Sequence, residues 1–272
     1  MRIRTTTLGI EKVRLGVACA AIVGLCVAAA SAAPPATAKA AKPAAGDWAA
    51  AMKAVHAKGK GKQGSVSQIG DSITYTKAFL APMAWEKPVG FDAVAGRIDG
   101  KALNDRKGPE HGNYSGWVAK QGLDVIGKVL AAEQPEIAVI MYGTNDVRRG
   151  VAPVDYRKHL EGIVDACLEA GCVPVVSTIP PILGNDDRVA LFNTEVRELA
   201  AVKKIPLVDF HAAILERQPG TAWDGTLLGK GDVHPSGGKN LDFSKENLAV
   251  CGYALRNYVT LAVLEDVIKK CF

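Results

Sequence analysis

A serine directly behind a short apolar run, in "SQIGDSITYT" (67–76), and a histidine in the glycine-rich stretch "GKGDVHPSGG" (229–238) are the residues of this chain best suited to covalent chemistry. A serine hydroxyl is a weak nucleophile; it attacks a carbonyl only when a base within hydrogen-bond reach takes its proton, and a third group must fix the base's tautomer. Ser72 is the candidate nucleophile and His234 the candidate base. Asp232, two residues before the histidine, is the candidate orienting acid, because a tight loop can set its carboxylate against one imidazole nitrogen while the other faces Ser72. The anion that develops on the attacked carbonyl needs donors aimed at it. The backbone N–H of Gly116 in "NYSGW" (113–117) and the amide of Asn145 in "YGTND" (142–146) are available. Each residue also has an ordinary reading: Asp71 braces a turn, Asn145 caps a helix, and Gly116 permits a tight bend.

The elements that must position these residues alternate along the chain. Val66 to Ile69, "EIAVIMY" (136–142), "VPVVSTI" (173–179) and "IPLVDF" (205–210) are nearly continuous apolar runs, as parallel strands covered on both faces require. Helical periodicity runs through 118–132, 154–170 and 188–202, and one long final helix is expected over about 245–270. Alternation of this kind predicts an α/β fold, a parallel sheet between two helical layers joined by right-handed crossovers. In such sheets functional residues lie beyond the carboxyl ends of the strands. Ser72 and Asn145 follow two of the predicted strands, and His234 precedes the last helix, so all three fall on one rim.

The blocks "GDS" (70–72), "SG" (115–116), "GTND" (143–146) and "VHP" (233–235) together resemble the four blocks of the SGNH hydrolases, also called GDSL esterases/lipases. The resemblance extends from about residue 64 to 271, in the family's order. It implies a flavodoxin-like three-layer α/β/α sandwich and ester hydrolysis through an acyl-serine, with no cofactor and no metal. It also implies an oxyanion hole made of the Ser72 N–H, the Gly116 N–H and the Asn145 amide. One departure stands out: the family usually carries its acid three residues before the histidine, where this chain has Gly231. Asp232 is the expected substitute, with Asp224 or a Ser–His pair without an acid as the alternatives.

The first 32 residues combine basic residues, an apolar run from about Leu15 to Ala30 and small residues around Ser31 and Ala32, the pattern of a cleavable secretory signal. Residues 33–47 are rich in Ala, Pro and Lys and read as a tether, which leaves 48–272 as the esterase domain. The expected location is periplasmic or secreted, with no stable membrane span once the signal is cut. Without residues 1–32 the chain has 29 Lys+Arg against 27 Asp+Glu, a balance that gives no support to nucleic-acid binding. "KGKGK" (58–62) reads as a solvated connection. Cys167, Cys172, Cys251 and Cys271 remain; in an oxidising compartment the sequence-local pairing 167–172 and 251–271 is expected, with buried thiols as the alternative. His56, His111, His159 and His211 read as surface or structural, although His111 lies near the Gly116 block.

The long stretch between Thr74 and Gly116 is rich in turn residues and connects the nucleophile to an oxyanion donor, so it is expected to wall the pocket. Trp85, Trp117 and Tyr75 offer apolar or sugar-stacking faces there. The expected substrate is a small-molecule or glycan ester, above all a short acyl group such as acetyl on carbohydrate. Short-chain lipid or thioester hydrolysis is the alternative enzyme activity, and a non-catalytic carbohydrate- or envelope-binding module is the alternative of a different class.

Overall fold

The computed structural model describes residues 47–272. The expected signal peptide (1–32) and all but the last residue of the expected tether (33–47) lie outside the described residues. The described residues open with α1 (Asp47–Lys58) and β1 (Lys62–Gly70), followed by the short helices α2 (Ser72–Tyr75), α3 (Asp92–Arg97) and α4 (Gly100–Asp105). Then come α5 (Ala119–Glu133), β2 (Pro135–Met141), α6 (Thr144–Arg148), α7 (Pro153–Glu169), β3 (Val173–Ser177) and α8 (Asp186–Lys203). The chain closes with β4 (Leu207–Val208), α9 (Phe210–Arg217), α10 (Lys245–Leu248) and α11 (Gly252–Cys271).

The four strands form one parallel sheet in the order β1-β2-β3-β4. Every residue of β2 and β3 is buried, as their largely apolar sequences demand of strands covered on both faces. The crossovers α5, α7 and α8 pack side by side, α5 on α7 and α7 on α8, and form one helical layer. The other layer is built from α1 and α11, which pack on each other, with α3 and α9 against α11. This is a three-layer α/β/α sandwich. Gly70 pairs with Met141, so the carboxyl ends of β1 and β2 are level, and the residues that follow them emerge side by side.

Three elements differ from the sequence reading. The predicted strand at 205–210 shrinks to Leu207–Val208, because Pro206 has no N–H and the Asp209 side chain already accepts from Ala212 N–H as the cap of α9. The single final helix is broken. Ser244 caps α10, the chain turns extended at Cys251, and α11 begins where the N–H groups of Gly252 and Tyr253 bond to the Ser236 hydroxyl and carbonyl, both at 2.9 Å. The 74–116 stretch contains two short α-helices, α3 and α4, and two 3₁₀ turns at Ala81–Ala84 and Pro109–His111.

The expected cysteine pairing is also corrected. All four thiols are free and buried. Cys251 and Cys271 stand at opposite ends of the 20-residue α11, roughly 30 Å apart at the helical rise, and no bond can join them. Cys167 and Cys172 lie next to each other where α7 turns into β3, with Cys172 N–H on Cys167 O at 2.9 Å, and pack as small apolar groups. The lysines of "KGKGK" are all exposed, Lys58 at the end of α1, Lys60 in the turn that follows and Lys62 at the start of β1.

The amino end of the sheet is closed by charge. Glu136 of β2, only 5% exposed, accepts from Gly64 N–H at 2.6 Å, His56 Nε2 at 2.9 Å and Arg97 Nη2 at 2.6 Å. Burial works against this charge, but those donors outweigh it and hold the carboxyl below its ordinary range. The carboxylate thus joins α1, α3 and the first two strands. Glu136→Ala leaves Gly64 N–H and the half-buried Arg97 guanidinium without their shared acceptor and should lower the unfolding free energy by about 3 kcal/mol; urea titration of the purified variant measures it.

Candidate active site

Ser72 opens α2, immediately after the end of β1. Asp71 caps that helix, its side chain accepting from Ile73 N–H at 3.0 Å. This local arrangement follows from the sequence: an aspartate ahead of a short helical turn satisfies one of the donors the turn leaves open. As the first residue of the helix, Ser72 has an N–H with no intrahelical acceptor. Its hydroxyl lies 2.8 Å from His234 Nε2.

His234 sits in the loop ahead of α10, and its Nδ1 is 2.8 and 2.9 Å from the two carboxylate oxygens of Asp232. The loop is tight: Asp232 N–H bonds to Gly229 O and Gly229 N–H to His234 O, both at 2.9 Å. The Asp232 carboxylate also accepts from Val233 N–H at 2.7 Å. Burial pushes its pKa up, but the bonds from His234 and Val233 prevail, so the group stays below the usual carboxylate range and charged. Asp224 takes a different part, with its Oδ1 accepting from Gly231 N–H at 2.6 Å. That bond braces the loop, and Asp224 makes no hydrogen bond to His234.

Asn145 lies in α6, directly beyond β2. Its amide donates to Trp117 O at 3.1 Å and, less closely, to Asp71 Oδ2 at 3.3 Å. Gly116 lies one residue before Trp117, with φ at +79°, a conformation that favours glycine. Its N–H has no acceptor within the chain among the described residues, while its carbonyl accepts from Arg149 Nη2 at 2.7 Å. Asp146 ties the two together: fully buried, it accepts from Ala119 N–H with both oxygens at 3.2 Å, so the helix that follows Gly116 starts on the residue after Asn145.

Several participants escaped the sequence reading. Asp71, expected only as a turn brace, also accepts from the Thr144 hydroxyl and so bridges β1 to β2. Burial raises its pKa, against the opposing pull of its bonds and of Arg256. Arg256 of α11, 1% exposed, donates to Ile73 O and to Thr74 Oγ1 and lies 3.6 Å from the centre of the Phe79 ring. Burial lowers its pKa to about 10, which leaves it charged at neutral pH. Arg148, the last residue of α6, and Arg149, which follows it, split their work: Arg148 Nη2 approaches Asp232 to 3.9 Å and Arg149 holds Gly116. The signal for the arginine pair was its place right after "GTND"; nothing local marked Arg256. His111 does not line the site, since its Nδ1 is 2.7 Å from the buried Glu133 carboxylate. Tyr75, Tyr114 and Trp117 form a ladder of rings, 5.4 and 6.0 Å apart, alongside Ser72 and Gly116.

Among the described residues no group of three or more His, Cys, Asp and Glu side chains comes together in a way that could hold a metal ion, and no helix is long and apolar enough to cross a membrane. The arrangement is that of a hydroxyl, an imidazole and a carboxylate in series, with N–H donors on the same rim.

The family model for the GDSL-like lipase/acylhydrolase family matches residues 69–237, which include every residue of this constellation. No curated protein matches the chain in sequence. Among solved structures, a carbohydrate esterase family 3 protein from Talaromyces cellulolyticus is similar at a TM-score of 0.54 and 21% identity, over 75% of this chain and 97% of that one. A psychrotrophic esterase from Pseudoalteromonas sp., seen inhibited by monoethylphosphonate, is similar at a TM-score of 0.52 and 13% identity, over 76% and 99%. A GDSL-like lipase from Bacteroides thetaiotaomicron VPI-5482 is similar at 0.50 and 16%, over 76% and 88%. At these identities the likeness is one of fold.

Burial raises the pKa of Asp146 to about 6, so the protonated carboxyl favours the folded state. The stability it contributes is complete below the unfolded-state pKa and is lost as pH rises through the folded value. Relative to the Asp146→Asn variant, the wild-type protein should therefore lose stability between about pH 4 and about pH 7 and run parallel to it above. Urea midpoints of both proteins at stepped pH measure this, and identical pH dependence would exclude Asp146 as the group.

Proposed function

The chain belongs to the GDSL-like lipase/acylhydrolase family and is an ester-hydrolysing serine hydrolase; from that premise we propose that it removes short acyl groups, chiefly acetyl, from carbohydrate outside the cytoplasm. The observation that carries the chemistry is the series Ser72 Oγ to His234 Nε2 at 2.8 Å and His234 Nδ1 to Asp232 Oδ2 at 2.8 Å.

In this reading Ser72 Oγ attacks the ester carbonyl carbon while its proton passes to His234 Nε2. Asp232 holds the imidazole in the required tautomer and stabilises the imidazolium that forms. The oxyanion is met by the N–H groups of Ser72 and Gly116 and by the Asn145 amide. Of that amide's two bonds, the 3.3 Å contact to Asp71 is the one an oxyanion replaces, while the bond to Trp117 O keeps the side chain aimed. His234 returns the proton to the leaving alcohol, whose C–O bond breaks to give acyl-Ser72. Water, deprotonated by His234, then attacks the acyl group, and Ser72 leaves with its proton restored.

The substrate reading is supported by the surroundings. The 74–116 segment folds into short helices and turns and offers no continuous apolar lid, while the Tyr75–Tyr114–Trp117 ladder links the helix that Ser72 opens to the segment that carries Gly116. The signal-like pattern of residues 1–32 supports export.

Ser72→Ala should remove both turnover and labelling by a fluorophosphonate, and labelling that persists would exclude Ser72. Asp232→Asn should lower kcat by about 10⁴-fold and Asp224→Asn only mildly; the reverse order would transfer the acid's role, and mild effects at both would leave a Ser–His pair. Asn145→Ala should lower kcat by about 10²- to 10³-fold with a smaller change in KM. On p-nitrophenyl esters of increasing length the rate should be highest for acetate. A rise with chain length would instead favour the short-chain lipase or thioesterase reading, and absence of both turnover and labelling in the wild type would favour a binding module.

A further inference from the structure

The chain that follows Ser72 and the chain that follows His234 come together a second time, away from the reacting atoms. Between them is a pocket of about 260 Å³ lined by Pro82, Trp85 and Glu86 on one side and Lys239, Asn240 and Asp242 on the other. Of the four tryptophans, all within the described residues, Trp85 alone is largely exposed, at 66%. Trp48 and Trp117 pack against the core and Trp223 is 1% exposed. The Trp85 indole stacks on no other ring among the described residues. Leaving so large an apolar surface in water is unfavourable unless something covers it.

The polar groups around the indole are of mixed kind. Glu86 and Lys239 make no side-chain hydrogen bond among the described residues. The Asn240 side-chain oxygen accepts from Gly238 N–H at 3.2 Å, which leaves its NH₂ to point elsewhere, and Asp242 is steadied by Ser244 N–H at 3.0 Å. One flat apolar face bordered by both donors and acceptors matches a sugar ring, which has a C–H face and a rim of hydroxyls that donate and accept. An acyl chain would require a continuous apolar wall. The volume lies just below the roughly 300 Å³ at which pockets for drug-sized ligands begin, a size suited to a single ring.

The two walls are also held in register before any ligand arrives. Asn257 of α11, 0% exposed, accepts from Leu80 N–H with Oδ1 and donates from Nδ2 to Ala78 O and to Asn240 O, all at 3.0 Å. One buried amide thus fastens the segment behind the nucleophile to the segment behind the histidine. Walls whose backbones are fixed in this way bind with a smaller cost of ordering.

We propose that this pocket is a glycan subsite: it seats on Trp85 an unmodified sugar ring of the same chain whose acylated ring is presented to Ser72. The proposal rests on the glycan-ester reading above and adds to it a site and a selectivity for oligosaccharide over monosaccharide esters.

The test uses two readouts. In the first, kcat and KM are measured for acetylated xylo-oligosaccharides and for p-nitrophenyl acetate. Trp85→Ala should raise KM for the oligosaccharide about tenfold more than for the small ester, and Trp85→Phe should recover part of the loss. In the second, unacetylated xylo-, manno-, cello- and chito-oligosaccharides are titrated into the Ser72→Ala protein while the Trp85 indole resonance is followed by NMR, assigned by its absence in Ser72→Ala/Trp85→Phe. A saturable shift of that resonance is expected. Deacetylation by the wild type with no differential effect of Trp85→Ala and no shift would overturn the subsite and leave the glycan-ester reading standing. A shift without deacetylation of any glycan would support the subsite and overturn that reading. Neither deacetylation nor a shift would overturn both.

Discussion

One carboxylate, Asp71, determines how the two halves of the rim stand relative to each other. It has no exposure to solvent, and a buried carboxylate without partners is strongly unfavourable. Its partners come from both strand ends: Ile73 N–H from the turn after β1, and the Thr144 hydroxyl and the Asn145 amide from the turn after β2. The parallel register that levels Gly70 with Met141 is what allows one side chain to reach all three. The buried Arg256 of α11 bonds to the same turn through Ile73 O and Thr74 Oγ1. The turn that presents Ser72 is therefore held both by the Asp71 cap and by a side chain that reaches it from α11.

The remaining parts of the rim are set by separate anchors that build on this one. The bond between Asp146 and the start of α5 decides where the chain leaving Gly116 must run. The His234 loop is fastened through Ser236, whose hydroxyl and carbonyl take the first two N–H groups of α11. The same helix carries Arg256 beneath Ser72 and Asn257 between the walls of the Trp85 pocket. α11 therefore touches both the nucleophile turn and the histidine loop, and a shift of this helix would move both.

What was legible in the sequence follows from what local patterns can encode. β2 and β3 read clearly because strands covered on both faces must be apolar throughout, and α5, α7 and α8 read clearly because one stripe of each is buried. β1 was read as starting at Val66, yet it begins at Lys62; residues 62–65 are polar and pair through an irregular register, so no apolar run marks them. The break before α11 leaves no local trace, since helical periodicity continues through it and its cause, Ser236, comes from another part of the chain. Buried charges are invisible for the same reason. Glu133, Glu136 and Arg256 look like members of solvated faces until the partners that allow their burial are in place. At the rim, the residue types and their order could be read directly, whereas Asp71, Arg149 and Arg256 act through contacts that only the fold creates.

The placement of the acid shows how a one-residue change in spacing is absorbed. Between Gly229 and His234 the chain reverses, and Val233, 3% exposed, turns inward to the core. With Val233 turned inward, the tight turn leaves Asp232 and His234 facing each other, and the carboxylate meets Nδ1 at 2.8 Å. The bond from Val233 N–H to the same carboxylate fixes its rotamer. Position 231 has no such access. Gly231 has φ at +66°, and a side chain placed on it would meet nothing within 4 Å, because it would point into open space rather than toward the imidazole. In this loop an aspartate three residues before the histidine would be strained and misdirected, while one two residues before it needs only the turn that Gly231 makes and that Asp224 braces.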